Sequence, residues 1–263
     1  MPWSRYFAAS DDPGSPPPSW QVRTLNFALA LLAISFVFYF SFQQLGYRQR
    51  WSTIHEYRAM FWQGWFTTIG ISVVALVLSA VIGLLSALAR RSRLLPLRYL
   101  ARIYVELIRG TPLLVQILFF FYVMFYAAGV NNRYVSGILI LAFFSGAYIS
   151  EIIRAGIESV GKSQLESARA IGLTRAQTYR YVIFPQALRQ TLPPLAGQFA
   201  SLIKDSSLLS IIGLEELTLK SRGVISMTGA MEPYLVLAAG YLVLTLPISL
   251  WTRYLEKRHS FET

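Results

Sequence analysis

One octapeptide in the sequence matches the phosphate-binding loop of nucleotide-hydrolysing proteins. Residues 156–163 read GIESVGKS, which satisfies the pattern G-x-x-x-x-G-K-[ST]. A working loop of this kind follows a buried parallel strand, and a second strand presents an aspartate to the magnesium ion. Here the preceding segment, SGAYISEIIRA, completes an apolar helical stretch, and Asp11, Asp12 and Asp205, the only aspartates, follow no apolar strand. We therefore expect no nucleotide site at this string.

The other reactive residue types argue against a metal site or a covalent reaction centre. The chain has no cysteine and only two histidines, His55 and His259. A zinc site needs a cluster of Cys, His or carboxylate ligands, and an enzyme active site needs an activated nucleophile or a paired acid and base. Neither pattern is present. We expect no metal, no cofactor and no catalytic residue, which disfavours an integral-membrane enzyme.

Composition indicates a chain that lies in a membrane. Of the 263 residues, 54% are hydrophobic and 14% are charged, and the formal net charge is +11. Soluble domains carry about 25% charged residues. In a membrane protein, an excess of basic residues is more typical of topology than of nucleic-acid binding. A lipid bilayer is the expected surrounding, and no nucleic-acid partner is expected.

Six stretches approach the roughly 20 apolar residues that a helix needs to cross a bilayer. They lie at residues 25–45, between Arg58 and Arg90, and at residues 110–130, 134–153, 193–212 and 234–251. The sequence therefore predicts an all-α polytopic membrane protein with about six transmembrane helices. Pro112 is expected to kink or cap the third helix. Pro193 and Pro194 are expected to start the fifth.

The distribution of basic residues predicts the topology. With a cytoplasmic amino terminus, the inner segments carry sixteen Lys and Arg residues and the outer ones six. Cytoplasmic loops are enriched in these residues, so both termini are predicted to be cytoplasmic. Residues 1–24, rich in proline, are expected to form a flexible tail. Residues 25–59 would form the first helix and an outer loop, residues 60–256 the main domain, and residues 257–263 a second tail.

The loop after the fourth stretch is predicted to contain two short helices. Ser163 with Glu166, and Thr174 with Gln177, have the spacing of capping boxes. Gly172 can end the first helix in a left-handed conformation, and the second helix is expected to end before Pro185. Two roles remain open for this basic loop: a helix that rests on lipid headgroups, or a knob that docks into a cytoplasmic partner.

Four motifs lie in order along residues 60–256: YVELIRGTPLLVQ at residues 104–116, AYISEIIRAGI at 147–157, ESARAIG followed by VIFP within 166–185, and KDSSL at 204–208. Together they resemble the permease subunits of ABC importers for polar amino acids. Residues 166–185 are similar to the loop E-A-A-x3-G-x9-I-x-L-P of that family, with Ser167, Val182 and Phe184 as mild departures.

This resemblance implies a type I importer fold, with one amino-terminal helix, a five-helix core and a short cytoplasmic coupling helix. It also implies a bacterial inner-membrane location and a division of labour. Two permease subunits, identical or related, would form the path for an amino acid. Two ATP-binding cassette subunits would hydrolyse ATP, an extracytoplasmic binding protein would deliver the substrate, and this chain would not be an enzyme. The residues expected to contact the ATPase are Glu166, Ser167, Ala168, Gly172 and Leu173.

Charged and polar residues within the predicted spans or near their ends are candidates for the translocation path or its gate. Glu106 and Arg109, and likewise Glu151 and Arg154, are three residues apart, so each pair lies on one helical face. Mutual neutralisation at the membrane surface and participation in an inner gate both remain open. The adjacent Lys204 and Asp205 point in different directions on a helix. The candidate path residues are Ser145, Tyr148, Glu151, Arg154, Gln198, Ser201, Lys204 and Asp205.

A transporter or channel that works without an ATPase is the alternative function. It would account for the apolar helices, but it leaves the predicted cytoplasmic helix pair unexplained.

Overall fold

The computed structural model describes residues 19–44 and 46–259, and most of these residues are helical. No strand occurs among them, which confirms the predicted all-α class. Most of the predicted tail at residues 1–24 and the end of the predicted tail at residues 257–263 lie outside the described residues. The chain divides into two compact units, Met1–Arg50 and Trp51–Thr263.

The first unit contains one described helix, α1 (Trp20–Gln44). Apolar side chains occupy all sides of α1 instead of one stripe, and none of those from Trp20 to Ser41 is buried. A helix that is hydrophobic all round is typical of a membrane span. Its length and composition are sufficient to cross a bilayer, in agreement with the first predicted span.

The second unit is a bundle of helices with one short helix in front. Its first half contains α2 (Ser52–Glu56), α3 (Arg58–Ala89), α4 (Leu95–Gly110), α5 (Leu113–Phe119) with a π-helical continuation (Phe120–Phe125), and α6 (Arg133–Glu158). Its second half contains α7 (Lys162–Ala170), α8 (Arg175–Thr178), a π-helix (Tyr179–Ile183), α9 (Phe184–Asp205), a 3-10 helix (Ser206–Ile212), α10 (Leu217–Thr228) and α11 (Pro233–His259). Helix α3 packs along α6, and α9 packs against α6 and α11.

Four described helices are long and apolar enough to span a membrane, namely α1, α3, α6 and α11. Helices α4 and α5 meet at an angle of 112° and count as a fifth span if the bent pair is one crossing. The stretch predicted as the fifth of six spans, residues 193–212, falls on the second half of α9 and on the 3-10 helix that follows, and neither is among the candidate spans. Helix α9 carries Arg189, Lys204 and Asp205. Its packing between α6 and α11 removes the need for an apolar surface all round.

Pro112 acts as predicted. It is the N-cap residue of α5, and the preceding Thr111 is extended, so the chain turns sharply between α4 and α5. The buried Gln116 amide donates hydrogen bonds to the carbonyl oxygens of Ile108 and Thr111, at 2.7 and 3.0 Å. Carbonyl groups at the end of a helix have no partner within the helix. Gln116 therefore stabilises the corner that the proline creates.

The predictions for the other prolines were wrong. Pro193 and Pro194 lie inside α9, which begins at Phe184 and passes through both. Proline cannot donate a backbone hydrogen bond, but neighbouring helices and polar groups make it tolerable in membrane helices. The helical backbone after Thr174 also continues through Pro185, because a π-helical turn at Tyr179–Ile183 joins α8 to α9.

Small residues allow α3 and α6 to approach closely. A Cβ atom at Gly83 would lie 2.5 Å from Cγ2 of Ile149 and 2.9 Å from the carbonyl oxygen of Gly146. The hydroxyl of Ser150 on α6 donates to the Ser86 hydroxyl on α3 at 3.2 Å. Close backbone approach at small residues, with interhelical hydrogen bonds, is how helices associate where lipid replaces water.

A buried carboxylate organises the bundle where α10 begins. The Glu216 side chain caps α10 by accepting backbone N–H groups of Thr218 and Leu219, at 2.8 and 2.9 Å. The Tyr241 hydroxyl of α11 donates to the same carboxylate at 2.7 Å. Burial raises the pKa of the Glu216 carboxyl above its ordinary value, and these hydrogen bonds oppose the rise. Glu216 thus ties α10 to α11.

The close contact at Gly83 predicts that alanine substitutions at two glycines of α3 change the stability of the protein in opposite directions. Gly83→Ala forces Ile149 or the α6 backbone to move, so we expect a loss of about 1–3 kcal/mol. Gly70→Ala is the matched control on α3, because no atom lies within 4 Å of its added Cβ, and it is expected to gain up to about 1 kcal/mol of helix propensity. Thermal unfolding of the purified protein in detergent measures both. Equal midpoints for the two variants would contradict the close approach of α3 and α6.

Candidate functional site

Side chains of three helices converge on one carboxylate. Glu151 of α6 accepts from Arg154 of the same helix, with Arg154 Nη2 2.5 Å from Oε1 and Nε 3.0 Å from Oε2. Arg90, the C-cap residue of α3, places Nη1 2.7 Å from Oε2. Arg109, in the last turn of α4, places Nη1 3.5 Å from Oε1. Arg154 also donates to Glu158. We call these five residues the arginine cluster.

The cluster contains one predicted ion pair and lacks the other. Glu151 and Arg154 pair as their spacing indicates. Glu106 is exposed and forms no ion pair among the described residues, since Arg109 reaches across to α6 instead. Arg90 was not a predicted member. It lies 61 positions before Glu151, and only the packing of α3 on α6 brings the two together.

A pocket of about 410 Å³ lies beside the cluster. Its lining residues come from α4, α6 and α9 or directly follow α6: Arg109, Tyr148, Glu151, Ile152, Ala155, Gly156, Ser159, Gln190 and Pro194. The Arg109 guanidinium lies over the Tyr148 ring at 5.5 Å. The pocket therefore offers a cation, a carboxylate and an amide to a small polar molecule.

Two other candidate path residues meet at the interface of α6 and α9. The Gln198 amide donates to the buried Ser145 hydroxyl at 3.2 Å. Ser145 lies one turn before Tyr148 on α6, so this hydrogen bond adjoins the pocket beside the arginine cluster. Ser201 is half-buried further along α9.

Lys204 and Asp205 do not join the arginine cluster. They end α9, with Lys204 exposed and Asp205 half-buried, and neither forms an ion pair among the described residues. Pro194, the pocket-lining residue of α9 nearest to them, lies ten positions before Lys204. At 1.5 Å per residue, that separation along the helix is roughly 15 Å. The candidate path residues thus occupy two levels of the bundle instead of one site.

The predicted helix pair forms after α6. Helix α7 ends at Ala170, and Gly172 follows with a left-handed φ of +78°. The Leu173 N–H donates to the Ala168 carbonyl at 3.0 Å. Thr174 and Gln177 form the predicted capping box of α8. Glu166 and Ser167 are exposed, whereas Ala168 is buried. We call residues 162–173 the coupling segment.

The prediction of a capping box at Ser163 and Glu166 was wrong. Helix α7 begins at Lys162 with Gly161 as its N-cap residue, and no side chain caps it. Ser163 is already inside the first turn, so its hydroxyl is past the position that accepts the free backbone N–H groups. Gln186 at the start of α9 donates instead to the Gln164 side chain, which ties the coupling segment to the bundle.

The phosphate-loop string lies across the junction of two helices. Gly156 belongs to the last turn of α6, while Lys162 and Ser163 belong to α7. A Cβ atom at Gly156 would collide with the Thr191 side chain of α9. The first glycine of the string therefore serves helix packing, and the string does not follow a strand.

Comparison with known proteins gives consistent matches over most of the second unit. Residues 79–260 match the family "Binding-protein-dependent transport system inner membrane component". The probable glutamine ABC transporter permease protein GlnM of Bacillus subtilis (strain 168) is 39% identical over 209 residues, 79% of this chain and 96% of the relative. The L-cystine transport system permease protein TcyB of the same organism is 38% identical over 221 residues, 81% of this chain and 93% of the relative.

Solved structures show the same fold. "Crystal structure of an amino acid ABC transporter with histidines" describes a chain with a TM-score of 0.75 and 37% identity; the match covers 81% of this chain and all of that one. A chain of the MetNI methionine ABC transporter, in inward-facing conformations, has a TM-score of 0.64 over 78% of this chain and 98% of that one. At 15% identity it supports the fold alone.

Because three arginines share the Glu151 carboxylate, we expect its substitution to destabilise the protein more than substitution of Glu158. Glu151→Gln leaves three guanidinium groups converging on a neutral amide, so we expect a loss of about 2 kcal/mol in stability, somewhat less than for a fully buried pair. Glu158→Gln removes an exposed acceptor of Arg154 alone and is expected to cost less than about 1 kcal/mol. Thermal unfolding in detergent compares them. An equal or larger effect of Glu158→Gln would show that Glu151 does not hold the cluster.

Proposed function

Because the chain belongs to the family of inner-membrane components of binding-protein-dependent transport systems, we propose that it is the permease subunit of an ATP-driven importer of polar amino acids. Membership of the family makes it a membrane-spanning transport subunit that works with an ATPase and a substrate-binding protein. The match to glutamine and cystine permeases over nearly their whole length supports polar amino acids as substrates.

The coupling segment is the proposed contact with the ATPase. Glu166, Ser167, Gly172 and Leu173 present exposed or half-buried groups there, and the buried Ala168 packs the helix onto the rest of the chain. A partner can bias a conformational equilibrium only if it contacts the two conformations differently. A short helix held by a glycine turn and by the Gln164–Gln186 hydrogen bond can move as one body and pass such a bias on to α9.

The arginine cluster is the proposed inner gate. Its ion pairs join α3, α4 and α6 beside a pocket that has polar groups of both signs. A zwitterionic amino acid needs an acceptor for its ammonium group and donors for its carboxylate. Glu151 and Arg109 supply these chemistries in one pocket, and opening requires their separation. Tyr148, Ser145 and Gln198 would continue the path along α6 and α9, and Ser201, Lys204 and Asp205 would line its other level.

The remaining parts of the proposal concern assembly and orientation. Two permease subunits, copies of this chain or of a related one, would pair over two ATPase subunits. Both termini would be cytoplasmic, as the distribution of basic residues indicates. Hydrolysis would take place on the partner, since the phosphate-loop string lies across two helices and not after a strand. The observation that carries the proposal is the coupling segment itself, a short, largely exposed helix followed by a left-handed glycine soon after α6.

Substitution in the coupling segment tests it. Gly172 has φ of +78° and no atom within 4 Å of an added Cβ, so Gly172→Arg places a strained, bulky cation at the docking surface. Amino-acid uptake by the reconstituted importer is expected to fall about tenfold or more, because the combined cost exceeds about 1.4 kcal/mol. ATP hydrolysis should no longer respond to substrate-loaded binding protein.

Gly229→Arg is the matched control. Gly229 is also exposed, ends helix α10 with φ of +65°, and has no atom within 4 Å of an added Cβ. This variant carries the same backbone strain outside the coupling segment and should keep most of the uptake. Normal uptake by Gly172→Arg, or uptake without any ATPase, would count against the proposed function.

A further inference from the structure

A second cavity, separate from the pocket beside the arginine cluster, lies between α3, α4 and α6. It measures about 680 Å³, and nearly all of its lining is hydrocarbon. Its main walls are Leu85 and Leu88 of α3, Leu97, Leu100 and Tyr104 of α4, and Phe143 of α6. We call it the α3–α4 cleft.

The few polar groups of the cleft are already hydrogen-bonded. Tyr104 donates to the Phe143 carbonyl at 2.6 Å. The Ser86 hydroxyl accepts from Ser150, and the Ser92 hydroxyl accepts from the Leu94 N–H at 3.1 Å. An occupant therefore meets hydrocarbon over nearly all of the cleft and is bound there mainly through apolar contact.

Positive charge is concentrated beside the same cleft. Residues 90–102 contain five arginines and no acidic residue. Two of the five are engaged, Arg90 with Glu151 and Arg98 with the Ser92 carbonyl. Arg91 and Arg93 are exposed, form no ion pair among the described residues, and flank Ser92, which lines the cleft. The helical repeat turns Arg102 away from the side of α4 that Leu97, Leu100 and Tyr104 form.

We propose that the α3–α4 cleft binds an anionic phospholipid, with an acyl chain against its apolar walls and the phosphate headgroup beside Arg91 and Arg93. An apolar cavity next to two exposed arginines matches a molecule that is hydrocarbon at one end and anionic at the other. A free anion would leave the cleft unfilled, and a zwitterionic lipid would leave the arginines unneutralised. Basic pockets between membrane helices bind acidic headgroups on the cytoplasmic side, where the basic-residue distribution places this loop.

The bound lipid would act on the gate through α4. One side of this helix lines the cleft with Leu97, Leu100 and Tyr104, and its last turn carries Arg109 of the arginine cluster. A lipid that fills the cleft steadies α4, and with it the position of Arg109. This inference concerns a binding site that the proposed transport function does not require.

Lipid retention measured by native mass spectrometry tests the proposal. The full-length protein is purified in detergent and equilibrated with equal amounts of phosphatidylglycerol and phosphatidylcholine of the same acyl chains. The wild type is expected to retain one phosphatidylglycerol in clear preference. Arg91→Gln with Arg93→Gln should reduce that preference about tenfold or more, since each basic residue near a membrane surface contributes about 1 kcal/mol.

Two further variants separate charge from cavity. Arg189→Gln with Arg253→Gln removes the same charge from exposed arginines that do not adjoin the cleft, and it should keep the preference. Ala89→Trp fills the cleft and should lower retention of both lipids. No preference in the wild type, or equal loss in the two double-arginine variants, would overturn the proposal. Unchanged retention of both lipids by a folded Ala89→Trp variant would also overturn it. If that variant fails to fold, the comparison of the two double-arginine variants is the test.

Discussion

The bundle depends on one carboxylate that three helices share. Glu151 accepts guanidinium groups from the ends of α3 and α4 and from its own helix α6. Ionised groups near a bilayer are costly unless they are paired, so the ends of α3 and α4 are constrained to stay close to Glu151 on α6. Helix α6 then leads through residues 159–161 into the coupling segment. A displacement of that segment therefore acts close to the cluster that holds the bundle together.

Much of this architecture could be predicted from the sequence because it depends on local signals. Apolar stretches predicted the long helices α1, α3, α6 and α11, and the left-handed glycine at 172 and the capping box at Thr174 formed as expected. The shift of α7 to a start at Lys162 and the passage of α9 through two prolines were missed, because packing overrode local preference. The family resemblance, carried by four motifs, was confirmed by the comparisons.

The composition of the site was less predictable, since it depends on tertiary contacts. Nothing near Arg90 in the sequence indicates that it pairs with Glu151, and nothing near Arg109 indicates that it passes over Glu106 to reach α6. Lys204 and Asp205 were grouped with Glu151 on chemical grounds, yet the length of α9 separates them. The α3–α4 cleft was not predicted either, although the run of arginines beside it is a visible signal. Helix α4 lines this cleft and also carries Arg109 of the arginine cluster, and so connects the proposed lipid site with the proposed gate.

The central claim is that the coupling segment faces the cytoplasm and is covered by a partner ATPase. The natural chain has no cysteine, so a single cysteine at the exposed Ser167 can be labelled without background. We predict that a membrane-impermeant maleimide labels Ser167→Cys only in inside-out vesicles, and that bound ATPase blocks the label. Ser52→Cys, at the opposite end of the bundle, should react only from the other side, with or without ATPase. Labelling of Ser167→Cys from outside intact cells, or labelling that the ATPase leaves unchanged, would contradict the claim.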